Sequence, residues 1–193
     1  WHTVQMWKEL GATRVVAARE VSLADLKEMK DHVDIEIESF VHGSMCISYS
    51  GRCLLSNYMT GNRDANRGQC SQSCRWKYSL VESNRPGEYY PIEEDEHGTY
   101  IFNSKDLCLI HRIPDLYEAG IDSLKIEGRM KSVHYCATVA KVYRTAIDTY
   151  LKEGKDWYVR PEWIAELEKI SHRPYTDGFA EGRPDETAQN YGK

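Results

Sequence analysis

Four of the six cysteines in this 193-residue chain lie within residues 38–75, at positions 46, 53, 70 and 74. Their spacing is Cys-x6-Cys-x16-Cys-x3-Cys. Thiolates are soft ligands that select zinc, copper or iron–sulfur clusters. Structural zinc sites usually contain two close cysteine pairs, and only Cys70 and Cys74 form such a pair here. The spacing therefore predicts a soft-metal site, with an iron–sulfur cluster, a zinc ion and unligated thiols as the alternatives.

The sequence carries no signal for export or for membrane insertion. No apolar run approaches the roughly 20 residues that a membrane-spanning helix needs, and no basic leader precedes an apolar stretch. We therefore expect a cytoplasmic protein without a membrane partner, in which thiols stay reduced and clustered cysteines bind metal rather than form disulfides. Cys108 and Cys136 fall inside predicted helices, where buried unligated cysteines are common.

The charge pattern limits the nucleic acids that the chain can bind. An excess of 30 acidic over 25 basic residues gives a net charge of −5, which argues against a general nucleic-acid coat protein. Basic side chains nevertheless gather near the cysteines, and we predict that they bind RNA phosphates: Arg63, Arg67, Arg75 and Lys77. Tyr58 and Trp76 could stack on unpaired bases. Scattered solvated charges and ordinary aromatic packing are the alternatives.

Three short apolar runs, at residues 13–18, 35–41 and 123–126, predict parallel strands, the first of them buried on both faces. Ser22 and Asp25 predict a capped helix over residues 22–30, so the order strand, helix, strand forms a right-handed parallel unit. Each strand is followed by polar residues at its carboxyl end. This is the edge at which βα barrels and open α/β sheets place their chemistry.

These strand ends supply the remaining candidate site residues. The candidate catalytic residues are Glu20, His42, Glu127 and Arg129. Arg19 and Lys125 are candidates for binding an anionic cofactor or small molecule. Ion pairs at strand ends and a structural histidine are the alternatives. No metalloprotease or serine-hydrolase motif occurs, and His42 with Cys46 is a cysteine–histidine pair that is close in sequence.

The rest of the pattern completes an α/β fold. It predicts a strand over 99–103, a helix from residue 105 capped by Ser104, and helices over 114–119, 132–153 and 161–170. We expect a portion of a TIM-like βα barrel with parallel strands and a cysteine-rich loop, at residues 1–153. A helical and irregular tail at 154–193 would follow, partly disordered from residue 172. The small strand count predicts half of a larger barrel.

Several segments together carry a resemblance to a known family. The first is the pattern Glu-x-Phe-x-x-Gly-Ser-Met-Cys-x4-Gly-x-Cys-x-x-Ser over residues 38–56. The others are NRGQCSQSCRW, RPGEYYPIEEDEHGTYIFNSKDL, SLKIEGRMKS and HRPYTDGF. These segments closely resemble the signature of peptidase family U32, the collagenase-like proteases, over nearly the whole chain. Within that family the chain is most similar to the bacterial factors that synthesise 5-hydroxyuridine in tRNA.

The resemblance implies a fold, a cofactor and partners. It implies a βα-barrel-like region and an iron–sulfur cluster, of the 4Fe-4S kind, held by Cys46, Cys53, Cys70 and Cys74. For the tRNA branch it also implies dependence on prephenate, a small anionic co-substrate. The expected partners are tRNA and a second U32 chain, in a homo- or hetero-oligomer. The family normally begins with further strands and a glycine-rich loop that this sequence lacks.

The sequence is therefore compatible with three functions. The first is oxygen-independent hydroxylation of the wobble uridine of tRNA to 5-hydroxyuridine, with an iron–sulfur cluster. The second is the hydrolase that the family name describes, a collagenase-like protease. The third is a zinc-stabilised RNA-binding module without catalysis.

Overall fold

The computed structural model describes residues 1–76, 79–80, 83–84, 86–87, 90–91 and 104–183. Lys77 and the strand predicted at 99–103 lie outside these residues. The described residues belong to two units, of which the first contains 1–45 and 105–183 and the second contains those between 46 and 104. The division predicted between residues 153 and 154 remains a prediction.

Strands and helices alternate along much of the chain. The helices are α1 (His2–Glu9), α2 (Leu23–His32), α3 (Leu55–Thr60), α4 (Ile113–Glu118), α5 (Val133–Glu153) and α6 (Pro161–Glu168). The strands are β1 (Arg14–Val16), β2 (Glu36–Ser44), β3 (Ser79–Leu80), β4 (Tyr90–Pro91), β5 (Asp106–Cys108), β6 (Ser123–Glu127) and β7 (Tyr175–Thr176). The predicted α/β fold class is therefore confirmed. Within the described ranges, no helix is long and apolar enough to cross a membrane.

Strand β2 is the centre of a five-stranded sheet in the first unit. Along one edge, its residues 36–38 pair in parallel with β1 and its residues 42–44 pair antiparallel with β5. Along the other edge, residues 38–43 pair in parallel with β6. Strand β7 extends the sheet by pairing in parallel with β5. The predicted parallel association of β1, β2 and β6 is therefore confirmed.

Short polar side chains begin two helices of the first unit where the sequence predicts them. Ser22 and Asp25 form both hydrogen bonds of a capping box at α2: Ser22 Oγ accepts from the Asp25 amide at 3.1 Å, and Asp25 Oδ2 accepts from the Ser22 amide at 3.3 Å. Ser132 Oγ accepts from the Tyr135 amide and so caps α5. Each such cap stabilises a helix by about 1 kcal/mol. The helices predicted at these positions are confirmed.

Two apolar clusters hold the first unit together. The larger joins β2 and β5 to the helices α4, α5 and α6, through side chains such as Val41, Ile110, Leu116, Val139 and Leu167. The smaller joins α1 and α2 to the start of β2, through Val4, Leu26, Val33 and Ile37. Because full burial of one such aliphatic side chain contributes about 1.5–3 kcal/mol, these clusters fix the sheet on its helices.

Two local predictions are wrong. Residues 106–108 form strand β5 and not a helix, because pairing with β2 and β7 and complete burial outweigh the capping signal of Ser104. Cys108 consequently lies in a strand. Strand β1 is not buried on both faces, since Val16 is 46% exposed. Within the tail that was predicted to be partly disordered, residues 175 and 176 form β7 and pair with β5.

Strands β2 and β6 approach each other closely at Gly43. The pairing register shifts between Phe40 and His42, and Gly43 then has a φ of +112°. A Cβ atom at this position would lie 2.2 Å from the carbonyl oxygen of Glu127. Only glycine combines this backbone conformation with so close a contact.

In the second unit, the described segments are short. Helix α3 ends at Gly61, whose φ of +79° suits a helix C-terminus, and two 3₁₀ turns follow at Ala65–Arg67 and Ser73–Arg75. Strands β3 and β4 pair antiparallel.

Candidate functional site

The four cysteines predicted to bind metal all belong to the second unit. Cys53 is buried, the other three are half-buried, and none of the four forms a disulfide. Burial raises the pKa of the Cys46 thiol, and negative charge on Cys53, Cys74 or Cys70 raises it further. Burial likewise raises the pKa of Cys74, where Cys70 and Cys53 act in the same direction. The four thiols are therefore electrostatic neighbours.

Two buried serines join the segments that carry these cysteines. Ser56, at the start of α3, and Ser71 are 1% and 4% exposed, and their hydroxyl oxygens lie 3.0 Å apart. The Ser71 amide also donates to Ser56 Oγ at 3.0 Å. In addition, Asn66 Nδ2 donates to the carbonyl oxygen of Cys53 at 3.2 Å. These hydrogen bonds hold the neighbourhood of Cys53 against that of Cys70.

The four cysteines are suitable metal ligands by type, but their positions in the structure do not form a metal site. Four reduced cysteines in one segment are the donors that a soft metal or an iron–sulfur cluster prefers. Within the described residues, however, no group of three or more histidine, cysteine, aspartate or glutamate side chains is arranged to hold a metal ion. The chemistry of the donors fits such a group, and their positions do not form a coordination shell.

One segment of this unit, residues 46–76, carries a net positive charge. Residues 46–76 include four arginines and a single acidic residue, Asp64, although the chain as a whole has a net charge of −5. Arg63 and Arg67 are exposed, and Arg75 is half-buried. Tyr58 and Trp76 are 84% and 46% exposed, so neither is a buried packing residue. Cationic and aromatic groups therefore share the exposed surface of this unit.

In the first unit, the two candidate anion-binding residues lie near one aromatic ring. The Arg19 guanidinium lies 3.9 Å from the centre of the Phe40 ring, and Lys125 Nζ lies 5.7 Å from it. Lys125 also donates to Glu38 Oε1 at 2.5 Å, and Ser123 Oγ donates to Glu38 Oε2 at 2.9 Å. The hydrogen bond from Lys125 lowers the pKa of Glu38, so this carboxyl group stays ionised.

The candidate catalytic carboxylates follow the parallel strands as predicted. Glu20 lies in the turn after β1 and Glu127 ends β6, both half-buried. Arg129 is exposed, and its amide donates to Glu127 Oε1 at 3.1 Å. Their assignment as catalytic residues remains a prediction.

His42 lies inside the core and not at an open strand end. It is 1% exposed, and its ring centre lies 5.3–6.0 Å from the ring centres of Tyr135, Tyr143 and Tyr175. Burial lowers the pKa of His42 to about 4, with a smaller opposing effect of Asp106. The histidine is therefore neutral at pH 7, and its burial separates it from a macromolecular substrate.

Comparison with known proteins decides the family. The sequence matches peptidase family U32 across residues 1–190. The chain belongs to peptidase family U32. No solved structure matches it.

Curated U32 relatives have names that refer to RNA hydroxylation. The chain is 51% identical to tRNA hydroxylation protein P1 of Bacillus subtilis (strain 168), over all of this chain and 45% of that relative. It is 41% identical to tRNA hydroxylation protein P of Escherichia coli (strain K12), over 99% of this chain and 50% of the relative. It is 35% identical to the 23S rRNA 5-hydroxycytidine C2501 synthase of the same strain, over 91% of this chain and 26% of that relative. The chain thus spans about half the length of the first two relatives.

Sequence reasoning missed several residues that organise this U32 chain. Asp106 is fully buried and accepts from the Arg173 amide, with Lys131 Nζ at 3.8 Å, yet the sequence placed it in a predicted helix. From the sequence, neither Tyr135 nor Tyr143 of α5 received a role in the site. A hydroxyl on the buried face of a helix was the available signal, because such a group requires a hydrogen-bond partner.

Proposed function

We propose that this U32 chain is part of an enzyme that hydroxylates the wobble uridine of tRNA to 5-hydroxyuridine without molecular oxygen. The observation that carries this proposal is the 51% identity over the entire chain to a protein named for tRNA hydroxylation. The rRNA-directed relative supports a wider statement, that the family acts on RNA bases. Since tRNA is modified where it is used, we also propose a cytoplasmic location.

The proposed cofactor is an iron–sulfur cluster held by Cys46, Cys53, Cys70 and Cys74. Support comes from the donor chemistry, from the absence of disulfides among these cysteines, and from the electrostatic coupling of the thiols. Such a cluster supplies one-electron transfer when bound. The serine pair that joins α3 to Ser71 holds two of the cysteine-bearing segments together before any cluster binds.

The proposed RNA surface is the exposed side of the same unit. Arginines near the cysteines supply phosphate contacts, and Tyr58 and Trp76 supply flat apolar faces for stacking. Sequence-selective RNA binding usually targets unpaired bases that stack on aromatic side chains, which fits an anticodon loop. The net positive charge of residues 46–76, in an otherwise acidic chain, favours RNA binding by this segment.

The proposed co-substrate site is the group of Arg19, Phe40 and Lys125. Two cations near one aromatic ring favour a small, anionic molecule with an apolar body, and prephenate has that chemistry. Glu38 holds Lys125 charged and in place. We also propose that the chain forms a portion of a TIM-like barrel and that it associates with a second U32 chain.

The proteolytic alternative has weaker chemical support. A cysteine nucleophile requires a lowered thiol pKa, whereas burial raises the pKa of both Cys46 and Cys74. His42, the histidine closest to Cys46 in sequence, is 1% exposed. These residues do not have the properties of a thiol protease.

The proposed function predicts that Cys70→Ala removes both the cluster and the modification. The full-length protein carrying this chain, purified without air, is expected to contain iron and sulfide and to show the visible absorbance of a cluster. The Cys70→Ala protein should lose most of that absorbance. In a strain that depends on this protein, mass spectrometry of tRNA should detect at least about tenfold less 5-hydroxyuridine, because thiolate ligands of such clusters are rarely replaceable.

Cys136→Ala is the matched control, because Cys136 is also half-buried but lies in α5, outside the cysteine segment. It should retain both iron and 5-hydroxyuridine. A colourless protein that contains zinc would contradict the cluster and favour the RNA-binding module. Normal tRNA together with loss of collagen cleavage would instead favour the peptidase.

The RNA surface predicts a second result, for Arg67→Ala. The Arg67 side chain is 85% exposed, and among the described residues its one ion pair is a 3.7 Å contact with Asp64, so we expect its removal to leave the fold unchanged. We expect about threefold weaker binding to an anticodon stem-loop and a salt slope smaller by about 0.7, the value for one lost phosphate contact on a single strand. Titration of labelled RNA at several salt concentrations measures both. Arg144→Ala, an exposed arginine of α5, is the control and should bind RNA normally.

A further inference from the structure

Within the part of the first unit that the structure describes, three buried side-chain atoms are without a hydrogen-bond partner. They are Nε2 of His42, the hydroxyl of Ser44 and the hydroxyl of Tyr135. The three residues are between 1% and 6% exposed. A buried polar group without a partner costs about 1–3 kcal/mol, so three such groups in one core require an explanation.

The three groups lie on neighbouring elements of the first unit, β2 and α5. His42 and Ser44 lie two residues apart on β2, and the ring centre of His42 is 6.0 Å from that of Tyr135 on α5. Ser44 pairs directly with Asp106 of β5. The same Asp106 carboxylate acts electrostatically on both His42 and Tyr135. We refer to His42, Ser44, Asp106 and Tyr135 as the buried polar centre.

The tautomer of His42 follows from its neighbour Tyr143. The Tyr143 hydroxyl donates its single hydrogen to the carbonyl oxygen of Val41, at 2.8 Å. Its contact with Nδ1 of His42, at 3.4 Å, can therefore be a hydrogen bond only if Nδ1 carries the hydrogen. A neutral ring with hydrogen on Nδ1 has a bare lone pair on Nε2. The buried polar centre thus presents one acceptor, at His42, and two hydroxyls that can donate or accept.

The charges around the centre select a neutral ligand. Asp106 already faces two positive or donating groups, the Lys131 ammonium at 3.8 Å and the Arg173 amide at 3.2 Å. An added cation or anion would disturb this balance. Close packing of β2, β5 and α5 around the centre favours a very small molecule that both donates and accepts hydrogen bonds.

We propose that the buried polar centre binds an internal water molecule, which donates a hydrogen bond to Nε2 of His42 and exchanges hydrogen bonds with the hydroxyls of Ser44 and Tyr135. Buried waters typically make two to four such bonds. The water links β2 to α5 just before the chain enters the cysteine-bearing unit at Cys46. His42 is then a positioning residue that holds the end of β2.

Tyr135→Phe tests this proposal by its effect on stability. Phenylalanine keeps the aromatic ring, whose centre lies 4.9 Å from Lys131 Nζ, and removes only the hydroxyl. If the hydroxyl bonds to a bound water, the folding equilibrium constant should fall about fivefold, as expected for one lost hydrogen bond. Equal or greater stability of the variant would overturn the proposal, because removal of an unpartnered hydroxyl does not destabilise. Tyr158→Phe, at a tyrosine that is 59% exposed, is the control and should leave the constant unchanged.

Two direct measurements complete the test. A high-resolution crystal structure of the full chain should contain density within hydrogen-bond distance of His42 Nε2, and an empty or closed centre would overturn the proposal. The ¹⁵N chemical shifts of the His42 ring should report hydrogen on Nδ1. A ring with hydrogen on Nε2 would equally contradict it, since no lone pair would then face the water.

Discussion

Gly43→Ala is expected to destabilise the first unit by about 3–5 kcal/mol. Alanine at this position would adopt a φ of +112° and would place its Cβ 2.2 Å from the carbonyl oxygen of Glu127. A strained backbone costs about 1–3 kcal/mol. Overpacking between two paired strands adds a cost of similar size. Chemical denaturation monitored by tryptophan fluorescence measures the loss.

Gly11→Ala separates the two causes of that loss. Gly11 has a φ of +94°, close to that of Gly43, but a Cβ there would meet no atom within 4 Å. We expect this variant to lose only the backbone part, about 1–2 kcal/mol. Equal losses in the two variants would mean that the contact between β2 and β6 is not tight.

Acid is expected to destabilise the first unit through His42. The pKa of this histidine falls from the ordinary 6.5 to about 4 because burial disfavours the charged ring. Between these two values the unfolded chain binds a proton that the folded chain does not, so stability decreases as the pH falls from 6.5 to about 4. The difference in pKa corresponds to a loss of about 3 kcal/mol across this window. Below pH 4 this contribution no longer changes.

The measurement compares the free energy of unfolding at several pH values in two variants. His42→Gln removes the titrating ring and should flatten the pH dependence, whatever its effect on absolute stability. Three other ionisable groups act on His42 and remain in that variant, namely Asp106, His172 and Lys131. His134→Gln replaces an exposed histidine of α5 and should keep the dependence. An unchanged slope in His42→Gln would refute the assignment.

Local signals in the sequence were sufficient for most of the framework. Apolar β-branched runs identified β2 and β6, and serine caps identified α2 and α5, because these signals act within a few residues. Strand β5 could not be found in this way. Its residues Asp106 to Cys108 become a strand through pairing with β2 and β7, which are distant in sequence. Local capping chemistry at Ser104 predicted the wrong structure for that reason.

The candidate site shows the same limit. Spacing alone made the four cysteines candidate metal ligands. Their positions at strand ends made Arg19 and Lys125 candidates for anion binding, and the fold places both near the ring of Phe40. The sequence did not reveal that His42 would be buried among three tyrosines, since two of them come from α5 and one from β7. Side chains that meet only in the tertiary structure leave no spacing to detect.

The sequence order of the two units has a consequence for synthesis on the ribosome. Strand β2 emerges before the second unit, whereas its partners β5 and β6 emerge after it. The hydrogen bonds within residues 46–76, including those of Ser56 and Ser71, are local and form quickly once this segment is made. The cysteines are therefore gathered while the central strand still has an unpaired edge. Binding of the proposed cluster to these cysteines can thus precede completion of the sheet.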